Sequence, residues 1–584
     1  MVVQPRIRRL KVSNFRGLAN TEWCPVEGMN ILIGGGDSGK STLLHAVSLL
    51  FSPTNAVQLL ETDYYNRSLE PGFMIEATVS LPEDIGLANF QQTLWPWEWD
   101  GEKAVLPDNE REGVPFDPVY IFQVTGTPEL ELVWQIIQPN LEPINLSAGL
   151  RRKVGVVRLA NDDRNDRDLR LVTGSALDRL LSKGNLKSRI SKEVSAADLS
   201  NAMTENEQQA LKTLDKAMEA AGLPNGLDIG LTSSQGLSIG ALVGLLAEKT
   251  GVMLPVSSWG AGTRRMAALE IARATEASTR LTVIDEIERG LEPYRLRQLL
   301  ELLSSDEQQC FVTTHSPVVL ATAKKAALWY MDGNGHVGRL PQDKIARQQT
   351  RDPETFLARV PIIAEGVTEV GFLRVLLKLV FHGKDTVHGI RVVDGGGNDA
   401  MLGVLEALKG AGLNVAGFCD DEGRFEGRWA KLKAAAGAKL FQWQRGYLEE
   451  NIIAHVPDSQ LFSLAYDNDG VSGDRLRTLA DRLDIQSKSE SAILDACGSH
   501  DSLRKLIVQA ATGDRTGATS EPVGKEWAKH SQKWFKSLSG GGELCEKMIS
   551  LGLWHDLETV LLPFLNAIRA EVAEVALNPG ELKL

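Results

Sequence analysis

Apolar residues recur among polar ones through Ile7-Arg8-Arg9-Leu10-Lys11-Val12-Ser13-Asn14-Phe15, which reads as a strand with its apolar residues on one face. The denser apolar run from Met29 to Ile33 predicts a second, more buried strand. A Gly-rich loop and a helix from about Lys40 to Leu50 follow it. Ile75 to Val79 and Val119 to Val124 predict further strands, with a Trp- and Pro-rich loop between them. From about Asn161 to Gly222 the pattern turns charged and helix-forming, as in Asp178-Arg179-Leu180-Leu181 and Glu207 to Lys212. That texture predicts a helical insertion, either a dimer arm or a solvated bundle. Apolar strands return at Leu281 to Asp285 and Cys310 to Thr314, and the polar stretch from Gln342 to Asp352 reads as a linker.

A second strand–helix alternation starts at Val360-Pro361-Ile362-Ile363-Ala364 and continues through Ile390 to Val393 and Val415 to Phe418. Alternation of this kind implies a parallel sheet with helices on both faces. Beyond about Val456 the pattern is mainly helical, with a Gly-rich break at Ser539-Gly540-Gly541-Gly542.

Composition narrows the class. With 584 residues, 43% of them hydrophobic, the chain can bury several cores. Its five cysteines are scattered, which predicts neither a disulfide framework nor a zinc site and fits a reducing compartment. The first residues lack the apolar stretch of a signal peptide, and no apolar run matches a bilayer's thickness. A soluble, cytoplasmic protein without a membrane partner is expected. The net charge of −13 means that any nucleic-acid contact must use a local basic patch.

Two stretches carry phosphate chemistry. Gly34-x4-Gly39-Lys40-Ser41 follows a predicted strand and opens a predicted helix, the context a phosphate-cradling P-loop requires. Gly34, Gly36, Asp37, Ser38 and Gly39 would curl backbone N–H groups around the phosphates of ATP. Lys40 would neutralise their charge, Ser41 would ligate Mg²⁺, and Thr42 continues the cradle. Asp285 and Glu286 end an apolar strand; Asp285 is suited to hold Mg²⁺ and Glu286 to orient or deprotonate the attacking water. His315, just after another apolar strand, is placed to sense the γ-phosphate. The order of these elements, with the Leu-x-Val-x-Asn-Phe-Arg pattern at Leu10 to Arg16, resembles the ABC-type ATPases of the SMC/RecF group over about Met1 to Thr355. The resemblance implies ATP sandwiched between two heads. The signature loop falls on Ser257 to Arg264, with Ser258, Gly260 and Gly262 as nucleotide contacts, although it differs from Leu-Ser-Gly-Gly-Gln. Glu288 to Pro293 matches the dimer-contact loop, with Gly290 and Glu292 in place of the usual histidines.

The second stretch is acidic. Glu365 ends one predicted strand, and Asp420-Asp421-Glu422 follows another. Acids converging on one sheet edge can hold one or two divalent cations, and oxygen-only donors favour Mg²⁺ or Mn²⁺. Together these clusters resemble a TOPRIM domain over about Arg359 to Val456. Glu365 matches its glutamate and Asp420 the first acid of its Asp-x-Asp. Either Asp421 or Glu422 serves as the inner ligand, Glu369 adds another carboxylate, and Glu449 matches a later Leu-Glu pair. An SMC-like ATPase followed by TOPRIM resembles the OLD (overcoming lysogenization defect) family of nucleases. That resemblance implies metal-dependent DNA cleavage, often in phage defence, and a C-terminal lysine near the metals, for which Lys536 is the match. Independently, Lys525, Lys529, Lys533 and Lys536 fall at helical spacing and predict a basic face, either a track for the DNA backbone or the solvated side of an amphipathic helix, with Trp527 and Trp534 nearby.

The resulting expectation is an α/β protein. An ABC-type head occupies 1–160 and 246–355 around a helical insertion at 161–245. A TOPRIM domain at 356–456 and a mainly helical region at 457–584 complete the nuclease. Glu286, Glu365, Asp420, Glu422 and Lys536 are its expected catalytic residues, with ATP and two Mg²⁺ or Mn²⁺ ions as cofactors. DNA, a second copy of the chain or a higher homo-oligomer, and a helicase or other defence protein are the expected partners. An ATP-switched DNA clamp with a non-catalytic TOPRIM unit, and a nuclease acting on RNA, are the competing readings.

Overall fold

The computed structural model describes residues 5–82, 94–107, 117–139, 141–159, 169–172, 175–181, 186, 189–190, 192, 204–220, 243–249, 251–274, 281–305, 308–421, 423–444, 446–467 and 470–582. Two compact units make up the chain. Met1–Ile31 with Gly39–Val319 forms one, and Leu32–Ser38 with Leu320–Leu584 forms the other.

Strands β1 (Arg6–Phe15), β2 (Leu18–Trp23), β3 (Met29–Gly34), β4 (Phe73–Ser80), β5 (Pro118–Gly126) and β6 (Leu132–Ile137) come first along the chain. Five of them form an antiparallel sheet in the order β2-β1-β4-β5-β6. Simple alternation in β1 would put Ile7 and Leu10 on opposite faces. Instead a register shift between Ile7 and Arg9 and a left-handed Asn14 (φ 56°) leave Ile7, Leu10, Val12 and Phe15 all buried. The Trp-rich segment expected as a loop contributes a small hairpin, Trp97–Trp99 with Ala104–Val105, alongside β5. Trp97 Nε1 donates to the Ile137 carbonyl at 2.9 Å, a partner no local pattern predicts.

Helix α1 (Lys40–Leu50) buries Leu43, Leu44, Ala46, Val47, Leu49 and Leu50. Its His45 lies edge-on to Phe15, and the buried Nδ1 has no hydrogen-bond partner among the described residues. Burial, helped by the charges of Arg158 and Arg16 against that of Asp63, pushes the imidazole down to about 3. The folded protein therefore refuses a proton that the unfolded chain accepts below its ordinary value of 6.5. Stability tied to His45 is complete above that pH and falls by up to about 1.4 kcal/mol per pH unit below it. Urea unfolding of wild type and His45→Leu at pH 7.5 and 5.5 is expected to show their difference changing by about 1.4 kcal/mol, to the cost of wild type. A pH-independent difference would show that His45 titrates normally in the fold.

The parallel strands β7 (Val156–Leu159), β8 (Leu281–Ile284) and β9 (Cys310–Thr313) pair in sequence order. Every residue of β8 and β9 is buried, as parallel strands covered on both faces require. Helices α2 (Ala261–Ala274) and α3 (Pro293–Ser305) belong to the same unit. Within the expected insertion the described residues include helices Ala176–Leu181 and Glu205–Ala220. The hairpin Leu246–Lys249 with Val252–Pro255, with Leu246, Val252 and Met253 exposed, begins just beyond the expected insertion.

In the second unit, the stretch read as a linker is helix α4 (Gln342–Arg351). It buries Ile345 with Gln348 and Gln349, and Gln349 Nε2 donates to the Leu320 carbonyl at 2.8 Å. Its inward face carries amides, so an apolar-periodicity reading passes over it. The antiparallel pair β10 (Ala327–Met331) and β11 (Val337–Leu340) precedes it.

Four parallel strands then form one sheet. These are β12 (Val360–Ala364), β13 (Ile390–Asp394), β14 (Ala416–Cys419) and β15 (Leu440–Gln442), in the order β13-β12-β14-β15. Helices α5 (Val367–Val380) and α6 (Asn398–Gly410) follow the first two strands, and α7 (Leu448–Ala454) follows β15. The C-terminal region supplies α8 (Arg475–Leu483), α9 (His500–Thr512), α10 (Glu521–His530), α11 (Leu538–Ser550) and α12 (Trp554–Glu571). Sheet and C-terminal helices share one apolar core. Phe418 and Phe441 stack at 4.8 Å between ring centroids, and Phe564 of α12 lies 5.8 and 5.9 Å from them.

The glycine run read as a break lies inside α11 and is where α11 meets α5. A Cβ on Gly541 would fall 1.9 Å from the Thr368 carbonyl oxygen, and one on Gly371 2.0 Å from that of Leu538. Only glycine allows the two backbones this approach. Among the described residues no helix is long and apolar enough to cross a membrane.

Candidate functional site

The first site assembles within the first unit at the start of α1. Gly39 caps the helix in a left-handed conformation (φ 96°), followed at once by Lys40, Ser41 and Thr42. Lys40 is buried. The Ser41 hydroxyl donates to Asp285 Oδ1 at 3.0 Å, so residues 244 positions apart meet as the sequence order implied. Thr313 Oγ1 donates to the same oxygen at 2.6 Å and accepts the Glu286 N–H at 2.8 Å. Thr313 thereby couples the end of β9 to both acids, a role the sequence reading missed because a threonine in an apolar strand carries no signal. Glu286 is held left-handed (φ 47°), with Arg289 at 3.8 Å. The Ser41 hydroxyl and Asp285 carboxylate are the hard oxygen donors that Mg²⁺ takes.

Two further residues support this site. Arg265 is 2% exposed, and its guanidinium donates to the carbonyls of Asp285 and Arg289. Glu288 accepts from Thr314 Oγ1 and the His315 N–H, each at 2.7 Å, and so fixes the loop that presents the exposed His315. Ser258 and Gly260 are exposed just before α2, where Ser258 Oγ donates locally to the Pro255 carbonyl at 2.6 Å. Gly262 is buried; a Cβ there would lie 2.2 Å from the Gly290 carbonyl oxygen. That approach joins the signature segment to the turn after β8.

The loop residues Gly34, Gly36, Asp37 and Ser38 run directly into Gly39. Gly34 (φ 155°) and Asp37 (φ 57°) take positive φ, and Ser38 Oγ donates to the Gly35 carbonyl at 3.0 Å.

The second site lies wholly in the second unit, at the C-terminal ends of β12 and β14, where open α/β sheets bind ligands. Glu365, Glu369, Asp420 and Glu449 are 9, 6, 6 and 1% exposed. Three are oriented by backbone amides. Glu365 Oε2 accepts from the Asp420 N–H at 3.1 Å, Glu369 Oε2 from Gly366 at 2.9 Å, and Asp420 Oδ1 from Leu448 at 2.9 Å. Glu449 Oε1 is buried with no hydrogen-bond partner among the described residues.

So many buried acids disfavour their own ionisation. Burial, then the charges of Glu369, Glu449 and Glu365, pushes Asp420 up to about 9 against the Leu448 N–H. Burial pushes Glu449 up to about 7, with Lys536 opposing. Glu369 is raised by burial, with backbone N–H groups and Lys536 opposing and Asp394 adding. Lys536, distant in sequence, thus acts electrostatically on Glu369 and Glu449. Its ammonium sits 5.3 Å from the centre of the Tyr447 ring and 3.5 Å from the Thr512 carbonyl. Asp421 turns into the loop: its carboxylate accepts from Gly423 at 3.1 Å. Glu422 lies outside the described residues. Among the described residues no three His, Cys, Asp or Glu side chains are already grouped to chelate one ion.

The expected basic helical face does not form. Helix α10 ends at His530, Ser531–Lys533 is a single 3₁₀ turn, and Lys536 lies beyond both. Lys525 pairs with Glu521 at 2.9 Å, Lys529 with Glu526 at 3.5 Å and Lys533 with Asp474 at 3.0 Å. Trp534 is core, and Trp527 carries the Arg482 guanidinium 4.8 Å from its ring centre.

Residues 139–321 match the family described as "AAA domain, putative AbiEii toxin, Type IV TA system". No curated protein matches the chain. Among solved structures, the chain is similar to an Smc head bound to the C-winged helix domain of ScpA (14% identity, 58% of this chain and 99% of that one, TM-score 0.34). An Smc head with an extended coiled coil, bound to a ScpA domain from Pyrococcus furiosus, shows 14% identity over 59% and 98% of the two chains (TM-score 0.33). The recombination mediator RecF-ATPrS of the RecFOR pathway shows 15% identity over 58% and 99% (TM-score 0.30). At these TM-scores the reading of both sites stands on their own residues.

Proposed function

We propose that the chain is an ATP-controlled, divalent-metal-dependent DNA endonuclease or nickase of the OLD type, acting in phage defence or DNA processing. The observation that carries this reading is the set of four buried carboxylates at one parallel-sheet edge, with Lys536 beside them. The donor set is oxygen-only, and Glu449 Oε1 is buried with no hydrogen-bond partner among the described residues, an oxygen donor of the kind that Mg²⁺ or Mn²⁺ takes. Such an ion would lower the pKa of an attacking water and offset the negative charge on the leaving oxygen. Glu365 and Asp420 hold the site, with Glu369, Glu449 and either Asp421 or Glu422 around it. Lys536 stabilises charge developing on the phosphodiester.

In the first unit Gly39, Lys40 and Ser41 bind ATP phosphates, Asp285 with Ser41 holds Mg²⁺, and Glu286 orients the attacking water. The exposed Ser258 and Gly260 face the nucleotide of a second copy, so ATP sets dimer geometry. In this reading the second site, within 356–456, is completed by 457–584.

Plasmid nicking with Mg²⁺ or Mn²⁺, with and without ATP, tests the reading. Lys40→Ala is expected to lower ATP hydrolysis by about a hundredfold or more, as loss of a phosphate-clamping charge does. Unchanged turnover would remove the P-loop assignment. One observation favours a second reading, an ATP-switched clamp: among the described residues no three of the acids are grouped to chelate one ion. Metal binding without cleavage of plasmid or tRNA would select it, and cleavage of tRNA alone would make RNA the substrate.

A further inference from the structure

Beside the acids, between α4, β13 and the starts of α5 and α11, lies a cavity of about 240 Å³. Its charge is lopsided once internal pairs are removed. Arg347 is held by Asp394 at 2.6 Å, and Asp352 by Arg391 at 2.8 Å. Arg351 and Arg374 remain, both exposed and neither making an ion pair or side-chain hydrogen bond among the described residues. The wall between them is apolar, and two of its members, Val367 and Leu538, are 44 and 45% exposed. Gln348, 2% exposed, also lines it. Its Nε2 donates to the Asp394 carbonyl at 3.3 Å, which fixes the amide's orientation and leaves the buried Oε1 without a donor. Unpaired guanidinium groups select phosphate, an exposed apolar wall takes a planar ring, and a buried lone acceptor calls for an N–H.

We propose that this cavity seats one nucleotide unit, with its phosphate on Arg351 and Arg374, its base against Val367 and Leu538, and a base N–H donated to Gln348 Oε1. Each nucleobase carries such an N–H, so the pocket reads the presence of a base more than its identity. The unit comes from a nucleic-acid strand or from a free mononucleotide. Val367 lies two residues beyond Glu365, so a strand held here runs past the acids. For the strand source the inference rests on the nuclease reading and names where the nucleotide flanking the cut is held.

The test measures binding in EDTA, where no cleavage occurs. Fluorescence anisotropy follows a labelled oligodeoxythymidylate, and calorimetry follows dAMP, for wild type, Arg351→Ala/Arg374→Ala and Gln348→Met. The double variant is expected to weaken whichever probe binds by about tenfold or more, because charge-assisted phosphate contacts are lost. Gln348→Met should weaken a normal oligonucleotide more than an abasic one. Loss confined to the oligonucleotide assigns the strand, and loss of dAMP binding assigns the free nucleotide. Unchanged affinity of the double variant for both probes, or no binding by wild type, overturns the pocket. Plasmid nicking separates the two readings. A protein that binds through these arginines but never nicks keeps the pocket and loses the nuclease. A double variant that nicks and binds like wild type does the reverse.

Discussion

Plasmid nicking by Glu365→Ala is expected to fall to background, a loss of at least about a thousandfold, because on the proposed reading the substitution removes one of the carboxylates that would hold the ion. The carboxylate has two duties that can be separated. Its Oε2 accepts the Asp420 N–H, and its charge sits with three other buried acids. Glu365→Gln keeps an oxygen for that N–H while removing the charge. Both variants should lose nicking, whereas only alanine leaves a buried donor unpaired, a cost of about 1–3 kcal/mol. Nicking by Glu365→Gln at the wild-type rate would move the active site elsewhere. Coupled melting curves keep a folding defect from passing for a chemical one.

Gly541→Val should be the most damaging single change in the second unit that touches none of the acids. A Cβ at 541 would lie 1.9 Å from the Thr368 carbonyl oxygen, backbone against backbone, so no side chain can turn aside. Helices α5 and α11 must separate, at a cost of about 3 kcal/mol or more. For a unit of this size that lowers the melting temperature by roughly 6 °C or more. Glu369 and Lys536 flank this crossing, so nicking should fall as well. Gly427→Ala is the matched control: it lies in helix Glu426–Ala436 with nothing within 4 Å of the added carbon. That change is expected to be neutral or to stabilise by about 0.5–1 kcal/mol. Equal effects of the two substitutions would sink the packing argument.

What could be read from the sequence, and what could not, follows from where the information lies. Strands β8, β9, β12 and β14 were legible because their apolar runs are dense and end in acids or histidine. Ser41 and Asp285 were legible as partners because each has a fixed place in an ordered set of short patterns, and the structure brings them to 3.0 Å. Helix α4 was hidden because Gln348 and Gln349 take core positions usually held by aliphatics. The glycine run misled because its meaning depends on Thr368, some 170 residues earlier, which no local window contains. The lysine series misled through a helix end: α10 stops at His530, so spacing beyond it is no longer angular position. Arg265, Glu288 and Thr313 act by holding other groups in place, and such residues look like ordinary helix, turn and strand members until their partners are known.

The shared core of the second unit also has a consequence for the order of events during synthesis. Chains leave the ribosome N-terminus first, and domains tend to fold as they emerge. The four parallel strands are complete by Gln442, yet Phe418 and Phe441 await Phe564, and Lys439 awaits its 2.6 Å partner Glu571. Residues 360–456 therefore cannot close their core until more than a hundred further residues have been made. A nascent or prematurely terminated chain would carry the acids in an open, unfinished sheet. The second site would come into being only after the first unit has been synthesised.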